Sequence, residues 1–293
     1  MSLAAGFSLE VTPREVRKHP GLCREILPAR TRVYTTFLPN TPFSDTVDAA
    51  ASLVEQGMRP VPHLAARNVE DERELDVMVG RLADAGVSEL LVIAGSLNHP
   101  RGTISESLQV LRSGVLARHG ITRVGVAGHP EGNRDIGDEA LAASLRAKNE
   151  FAADNGHDVY LLTQFCFAAE PIVDWERRIR AAGNELPIVV GLPGLASPVS
   201  LVKFGLACGV GPSLKVLRKQ SGGVLKLATK AVYYPDQTLF GLAQSVRSDP
   251  SSLIRGVHFF PFGALTPTAD WIQQITGGRF RIDHRQGRLA VTA

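Results

Sequence analysis

One carboxylate lies on a predicted strand that is otherwise largely apolar. Glu10 falls within Phe7-Ser8-Leu9-Glu10-Val11, a short run that favours β structure. An unpaired carboxylate is costly to bury, and desolvation would raise its pKa until it could donate a proton near neutral pH. The alternative is a salt bridge between Glu10 and a neighbouring arginine. The sequence gives the two interpretations equal weight.

Other polar side chains occur near the ends of further predicted strands. They are Thr36, His63, Ser96 with Asn98 and His99, His129 with Glu131, Gln164, and His258. Gln164 has apolar neighbours, so its amide must be locked into the core or held for a polar ligand. Thr36 as a plain β-branched strand residue and His63 as a satisfied core histidine are the ordinary alternatives.

The histidines raise a metal-dependent hydrolase as another possibility. A strand carrying His-x-His or a helix carrying His-Glu-x-x-His would support it, and the chain has neither. The sequence therefore predicts no metal site.

Eight strand-like runs, most of them followed by an amphipathic stretch, set the fold. They cover residues 7–11, 32–37, 59–64, 89–94, 123–127, 159–167, 187–191 and 256–260. This alternation predicts a single (β/α)8 TIM barrel over residues 1–293, with extra helices before the last strand. Two doubly wound domains are the structural alternative, but no Gly-x-Gly-x-x-Gly follows the first strand. The tail at 276–293 is not placed. In such a barrel the polar residues would meet at the C-terminal ends of the strands.

Composition narrows the function classes. The 293 residues are 44% hydrophobic, carry a net charge of +3 and show no basic stripe interleaved with aromatics, so nucleic acid is not an expected partner. Three cysteines without CxxC spacing argue against a disulfide framework. No run reaches the roughly 20 apolar residues that span a bilayer, and no signal peptide opens the chain. We expect a cytoplasmic protein that acts on a small molecule and not at a membrane.

Taken in series, these motifs resemble the methylenetetrahydrofolate reductases. The matching segments are Phe7-Ser8-Leu9-Glu10, Val33-Tyr34-Thr35-Thr36, Pro62-His63-Leu64, His129-Pro130-Glu131-Gly132, Leu162-Thr163-Gln164-Phe165-Cys166-Phe167, Pro193-Gly194-Leu195 with Ser197-Pro198-Val199, Lys203-Phe204 and Gly256-Val257-His258-Phe259-Phe260. The resemblance implies Glu10 as the catalytic acid and Gln164 as a contact of the substrate pterin. It places the remaining members at the substrate or the nicotinamide: Thr36 and His63 at the substrate, His129 and Glu131 at the cofactor, Phe204 and Gln164 at both.

The chain departs from that family where the family binds flavin. Ala94-Gly95-Ser96-Leu97 stands where the family has Leu-Arg-Gly-Asp, and residues 141–152 lack its FAD-binding set. The resemblance therefore implies reduction of 5,10-methylenetetrahydrofolate to 5-methyltetrahydrofolate, a step of one-carbon metabolism and methionine biosynthesis. NADH or NADPH would supply the hydride directly, and FAD is predicted to be absent.

Three alternatives stay open. One is an FAD-dependent reductase of the same family with altered flavin contacts. Another is a folate-dependent methyltransferase or demethylase that uses the same pterin pocket. The third is a folate-binding regulatory protein without turnover. The sequence does not decide between NADH and NADPH, nor does it give the oligomeric state.

Overall fold

The chain is described by a computed structural model that covers residues 2–38, 41–197, 199–202, 232–283 and 285–292. Eight strands form a closed barrel in the order of the sequence, and the neighbours run parallel. They are β1 (Ser8–Val11), β2 (Arg32–Thr35), β3 (Arg59–Ala65), β4 (Glu89–Ile93), β5 (Arg123–Gly128), β6 (Asp158–Phe165), β7 (Ile188–Pro193) and β8 (Ile254–Phe260). The predicted (β/α)8 TIM barrel is confirmed.

Ten helices can be delimited in the described residues. They are α1 (Pro13–Lys18), α2 (Leu22–Ile26), α3 (Phe43–Glu55), α4 (Glu72–Asp84), α5 (Ser107–Arg112), α6 (Val115–Arg118), α7 (Asp138–Asn155), α8 (Ala169–Ala181), α9 (Asp236–Ser248) and α10 (Leu265–Thr276). Short 3-10 turns cover Ser2–Ala4 and Ala66–Asn68. Of the extra helices predicted before the last strand, α9 is present, and most of the remaining stretch lies outside the described residues.

The helices form where the apolar spacing predicts them. In α4 the Asp71 side chain accepts a hydrogen bond from the backbone N–H of Glu74 and so caps the first turn. Leu75, Val79 and Leu82 recur at helical spacing and are fully buried. The polar face of the helix stays outward, as in a barrel whose helices cover the sheet.

The third strand is more regular than its prolines suggest. Pro60 and Pro62 pair in register with Val33 and Thr35 of β2, and the strand runs for seven residues. The two prolines are two positions apart, so their missing N–H groups fall on the same side of the strand. Ladder bonds to the other side are not interrupted by them.

The C-terminal tail, which the sequence does not place, forms an antiparallel hairpin. Phe280–Asp283 (β9) pairs with Arg288–Val291 (β10), and Leu289 is buried. Phe280–Asp283 alternates apolar and charged residues over only four positions and Arg288–Val291 is equally short, so the sequence gives only a weak signal for these strands.

Contacts divide the chain into two compact units. Residues 8–127 and 143–161 form one, here called the Glu10 unit, and the rest of the described chain forms the other, here called the Gln164 unit. In the Glu10 unit, an ion cluster lies at the strand beginnings: Arg32 and Arg123 each donate through Nε to Glu89, at 2.9 and 3.1 Å, and Arg123 also pairs with Asp158.

Candidate functional site

Glu10 is the third residue of β1 and pairs in register with Tyr34 of β2. Its side chain is only 15% exposed. Thr36 follows the end of β2, where its backbone N–H and its hydroxyl both reach the carbonyl of Val11, at 3.0 and 3.1 Å. The hydroxyl also hydrogen-bonds to the Glu10 carboxylate. The ends of β1 and β2 thus hold a carboxyl and a hydroxyl in contact.

Burial raises the pKa of Glu10 to about 8, the hydrogen bond with Thr36 opposes the rise, and the charge of Glu15 adds to it. At neutral pH the side chain is therefore a neutral acid that can donate its proton. When Glu10 is neutral, the Thr36 hydroxyl is free to donate to Val11. When Glu10 ionises, the same hydroxyl can turn and donate to the carboxylate.

His63 on β3 is the neighbour of the acid. Its Nε2 lies 3.5 Å from Glu10 Oε2. Burial lowers the pKa of His63 to about 4, so the imidazole is neutral at the pH at which Glu10 is also neutral. In the described part of the chain, the basic side chain within 4.0 Å of the Glu10 carboxyl is this histidine and not an arginine. The arginine salt bridge is therefore not seen among the described residues, and the role of Glu10 as a proton donor stays a prediction.

Three buried polar atoms around the ends of β2 and β3 have no hydrogen-bond partner among the described residues. They are Thr35 Oγ1, His63 Nε2 and Asn68 Oδ1. Buried polar atoms are nearly always paired, and a group that lacks a partner calls for an explanation. A polar ligand that brings both donors and acceptors would supply one.

The loop after β4 carries Ser96, Asn98 and His99, and all three are exposed. Arg67 fastens this loop by donating to the carbonyls of Leu97 and Ser105, both at 3.0 Å. At Gly102 the backbone runs so close to Glu70 that a Cβ would overlap its carbonyl. The loop is thus held against the turn that follows β3.

In the Gln164 unit, Gln164 lies one residue before the end of β6 and is partly buried. Thr163 fixes the local backbone: its hydroxyl accepts from Gly191 N–H and donates to the Gln164 carbonyl, both at 2.8 Å. A Cβ on Gly191 would overlap the carbonyl of Thr163 and press on the Phe260 ring. Glycine is required there because β6 and β7 approach so closely.

An aromatic cluster occupies the ends of β6 and β8. Phe262 lies 5.0 Å from Phe165 edge to face and 6.1 Å from Phe260 in a stacked arrangement. Its φ of 50° is the left-handed conformation, which is uncommon for a residue with a bulky side chain. His258, fully buried on β8, packs edge-on against Phe260 at 4.7 Å.

His129 and Glu131 lie in the turn after β5, closed by a hydrogen bond from Gly132 N–H to the His129 carbonyl at 3.1 Å. After burial, the charge of Glu131 is the next cause that raises the pKa of the Cys166 thiol, so Glu131 lies near the end of β6. Phe204 lies outside the described residues. The structure therefore brings together Glu10, Thr36 and His63 in one unit, and Glu131 with the end of β6 in the other.

Sequence reasoning missed several residues at these places. Tyr34 and Tyr160 place their hydroxyls 2.5 Å apart, and Phe262 enters the aromatic cluster through its left-handed backbone. The available signals were weak: two of the four tyrosines stand inside strands, and Pro261-Phe262-Gly263 is a turn sequence.

The sequence predicts neither a metal site nor a membrane-spanning segment, and both features were sought among the described residues. Among these residues, no group of three or more His, Cys, Asp or Glu side chains is arranged to hold a metal ion. Over the same residues, no helix combines the length and the apolar character that a membrane crossing demands.

No family model matches the chain. Solved structures do match its fold. An uncharacterized protein from Clostridium thermocellum that binds two copies of 5-methyl-5,6,7,8-tetrahydrofolic acid is 12% identical, with 94% of this chain and 96% of that chain covered and a TM-score of 0.63. A protein assigned as a phosphonomutase from Burkholderia cenocepacia is 12% identical, with 94% and 95% covered and a TM-score of 0.52. The 2,3-dimethylmalate lyase, a PEP mutase/isocitrate lyase superfamily member, is 13% identical, with 94% and 82% covered and a TM-score of 0.51. At this identity the likeness establishes the fold.

The prediction of a methylenetetrahydrofolate reductase is wrong. The activities named among these structures are those of a mutase and a lyase and not of an NAD(P)H oxidoreductase. The predicted roles in one-carbon metabolism and methionine biosynthesis are withdrawn with it, as are the FAD-dependent reductase and the folate-dependent methyltransferase or demethylase drawn from the same resemblance. The motifs that suggested the family are short runs at strand ends. Barrels of this class commonly place polar residues there, whatever they catalyse.

The roles predicted for individual residues and the predictions about NADH, NADPH and FAD are separate from that assignment. No described contact bears on them, and they stay predictions.

Proposed function

We propose that the site around Glu10 binds an uncharged, polar heterocycle of the reduced-pterin type, and that the neutral Glu10 carboxyl donates a hydrogen bond or a proton to it. The observation that carries the proposal is a buried glutamic acid with a pKa near 8 beside a neutral histidine. A reduced pterin offers ring nitrogens that accept and N–H groups that donate. Such a ligand would pair the atoms of His63 and Asn68 that lack partners.

The electrostatics of the site favour a neutral ligand over an anion. Among the described residues, the groups that act on Glu10 are Thr36, Glu15 and His63. None of them is a cation at neutral pH, so a bound carboxylate would find no compensating charge in this group. The Clostridium thermocellum protein that binds 5-methyl-5,6,7,8-tetrahydrofolic acid supports the pterin class, since its fold matches over 94% of this chain.

A second candidate is a lyase or mutase that acts on a small carboxylate or phosphonate. The mutase and the lyase among the matching structures favour it. In that case Glu10 would act as a general acid at a carbon or oxygen of the substrate. The two candidates differ in the group placed beside Glu10, an uncharged ring in the first and an anionic group in the second, and this makes them separable.

The test is calorimetric binding of 5-methyltetrahydrofolate, 2,3-dimethylmalate and phosphoenolpyruvate between pH 6.5 and 9.5. We expect the tetrahydrofolate to bind, and its affinity to fall about tenfold for each pH unit above 8 as Glu10 ionises. Glu10→Gln should bind with an affinity that no longer depends on pH, because an amide is neutral throughout. Glu25→Gln, an exposed carboxylate on α2, is the matched control and should follow the wild type.

Two results would contradict the proposal. Failure of the tetrahydrofolate to bind while 2,3-dimethylmalate or phosphoenolpyruvate binds would favour the lyase or mutase. Binding that is equally strong at pH 7 and 9.5 in the wild type would remove Glu10 from the site. The same preparation checks the prediction that FAD is absent, since bound flavin absorbs near ~450 nm.

A further inference from the structure

A pair of buried tyrosines lies in the interior of the Glu10 unit. The hydroxyls of Tyr34 on β2 and Tyr160 on β6 are 2.5 Å apart, and both side chains are 1% exposed. Burial is the largest cause that raises the pKa of each hydroxyl, so both keep their protons. Each hydroxyl therefore has one hydrogen to place, and only one of the two hydrogens can lie between the oxygens.

The direction of this hydrogen bond follows from the neighbour on the other side. Tyr160 also hydrogen-bonds to the side chain of Glu89. A carboxylate only accepts, so the Tyr160 hydrogen goes to Glu89 and the Tyr34 hydrogen goes to Tyr160. Glu89 itself is held by Arg32 and Arg123, and the Arg123 guanidinium lies 4.6 Å from the centre of the Tyr160 ring. The ion cluster thus fixes the Tyr160 hydroxyl, which fixes that of Tyr34.

The other side of Tyr34 touches the acid site. Its ring meets the imidazole of His63 edge to face, with centroids 6.1 Å apart and planes at 79°. The Nε2 atom of that imidazole has no hydrogen bond in the described chain and lies 3.5 Å from Glu10 Oε2. Packing must therefore orient this ring, and Tyr34 is part of the packing.

We infer that the Tyr160–Tyr34 hydroxyl bridge is a positioning device, which transmits the fixed geometry of the Glu89 ion cluster to His63 and so holds the imidazole against Glu10. The inference rests on the proposed role of Glu10 as a proton donor. Two phenylalanines would fill the same space, but their rings would have no hydrogen bond to fix them. The hydroxyl pair ties the Tyr34 ring to charged groups at the beginnings of β2, β4 and β5.

The test follows His63 directly and needs no ligand. In protein labelled with ¹³C at histidine Cε1, the His63 signal, assigned with His63→Gln, is recorded from pH 6 to 9.5. In the wild type we expect one signal with one step near pH 8, when Glu10 ionises beside it. The His63 pKa of about 4 keeps its own protonation outside this range.

Three variants distinguish a role of the tyrosine hydroxyls in positioning His63 from a role of the rings in filling the core. Tyr160→Phe deletes the middle of the bridge, and Tyr34→Phe combined with Tyr160→Phe deletes both hydroxyls and leaves none unpaired. In both we expect a His63 signal that is broadened or doubled, with a pH step reduced by about half or more. Tyr233→Phe is the control, because it deletes a different buried hydroxyl, one that bonds to Thr238. It should leave the His63 signal unchanged.

A pH step in the double variant that keeps most of its wild-type size, with a single sharp signal, would overturn the inference and leave the tyrosines as core filling. A wild-type protein with no step near pH 8 would instead contradict the protonated Glu10 of the proposed function. The two failures are thus distinguishable. If Tyr160→Phe alone does not fold, the double variant decides the outcome.

Discussion

Two buried carboxyl groups of the Glu10 unit, those of Glu89 and Glu10, have opposite kinds of partner. Glu89, 8% exposed, receives hydrogen bonds from two guanidinium groups. Glu10, 15% exposed, has a threonine hydroxyl and a neutral imidazole as its neighbours. Burial is similar, so burial alone does not explain the difference. The partners decide whether a buried carboxylate is fixed as one half of an ion pair or kept as a neutral acid.

The difference also separates the two ends of the strands by function. Glu89, Arg32 and Arg123 stand at the beginnings of β4, β2 and β5, where residues of such barrels usually serve stability. Glu10 and Thr36 stand at the ends of β1 and β2, where such barrels place their chemistry. A cationic partner would favour the ionised form of Glu10, which could not donate the proton that the proposed function requires.

The largest effect should come from removing one of the two arginine partners of Glu89. Arg123→Met removes one of the two guanidinium groups from Glu89, and with it the pairing to Asp158. Because the remaining charge is buried, we expect a loss of about 3 kcal/mol in the free energy of unfolding, measured in urea. Arg24→Met, on the exposed surface of α2, is the control. A loss under about 1 kcal/mol would mean that the cluster is solvated and that the contrast with Glu10 is not real.

The next effect tests the neutral acid. Glu10 has a pKa of about 8 in the folded protein and an ordinary value near 4.5 when unfolded. Between these values the folded state binds the proton more tightly, so stability falls as pH rises towards 8. His63 acts in the opposite sense: its pKa is about 4 when folded and 6.5 when unfolded, so stability rises with pH over that range. Of these two groups, only Glu10 contributes to the pH dependence above pH 6.5.

We therefore expect the wild type to lose about 2 kcal/mol relative to Glu10→Gln between pH 6.5 and 9. Urea unfolding of both proteins at the two pH values gives the difference directly, and groups shared by both cancel. Parallel pH profiles for the two proteins would show that Glu10 is already ionised at pH 6.5.

The comparison also shows how far the sequence could be taken. The barrel was predictable because strands buried on both faces are continuous apolar runs, and each of the eight predicted runs overlaps a strand of the structure. The cost of burying a carboxylate singled out Glu10. Whether an arginine reached it could not be read from the sequence. Arg32, Glu89 and Arg123 are far apart along the chain, and only the strand register brings them together.

The assignment of activity went too far for a related reason. Short motifs at strand ends report where a side chain lies in a barrel, and they leave the bonds made and broken undetermined. Tyr160 shows that a sequence can also give no signal for a residue that the structure places in a hydrogen-bonded network. Nothing around it in the sequence distinguishes a core tyrosine from one whose hydroxyl lies between Glu89 and Tyr34.

A smaller effect should follow from changing the hydroxyl beside the acid. Thr36→Val keeps the shape but removes the group that can donate to the Glu10 carboxylate once it ionises. We expect the midpoint of the Glu10 titration to rise by about one unit, since a hydrogen bond to a charged group is worth about 1.5 kcal/mol. The midpoint can be read from the pH dependence of tetrahydrofolate binding or from the His63 signal. A midpoint that falls would mean that Thr36 chiefly accepts the acid proton.

The smallest effect concerns Glu15, whose charge raises the pKa of Glu10 from a distance. Glu15 also closes the capping box of α1, where its carboxylate accepts from Thr12 N–H at 2.7 Å. Glu15→Gln keeps this box, because glutamine can accept the same hydrogen bond, and it removes only the charge. We expect the Glu10 midpoint to move downward by a fraction of a unit. Glu15 is partly exposed, so added salt should screen the effect and lower the wild-type midpoint towards that of the variant. Equal salt dependence in the two proteins would exclude Glu15 and leave burial as the main cause of the raised pKa.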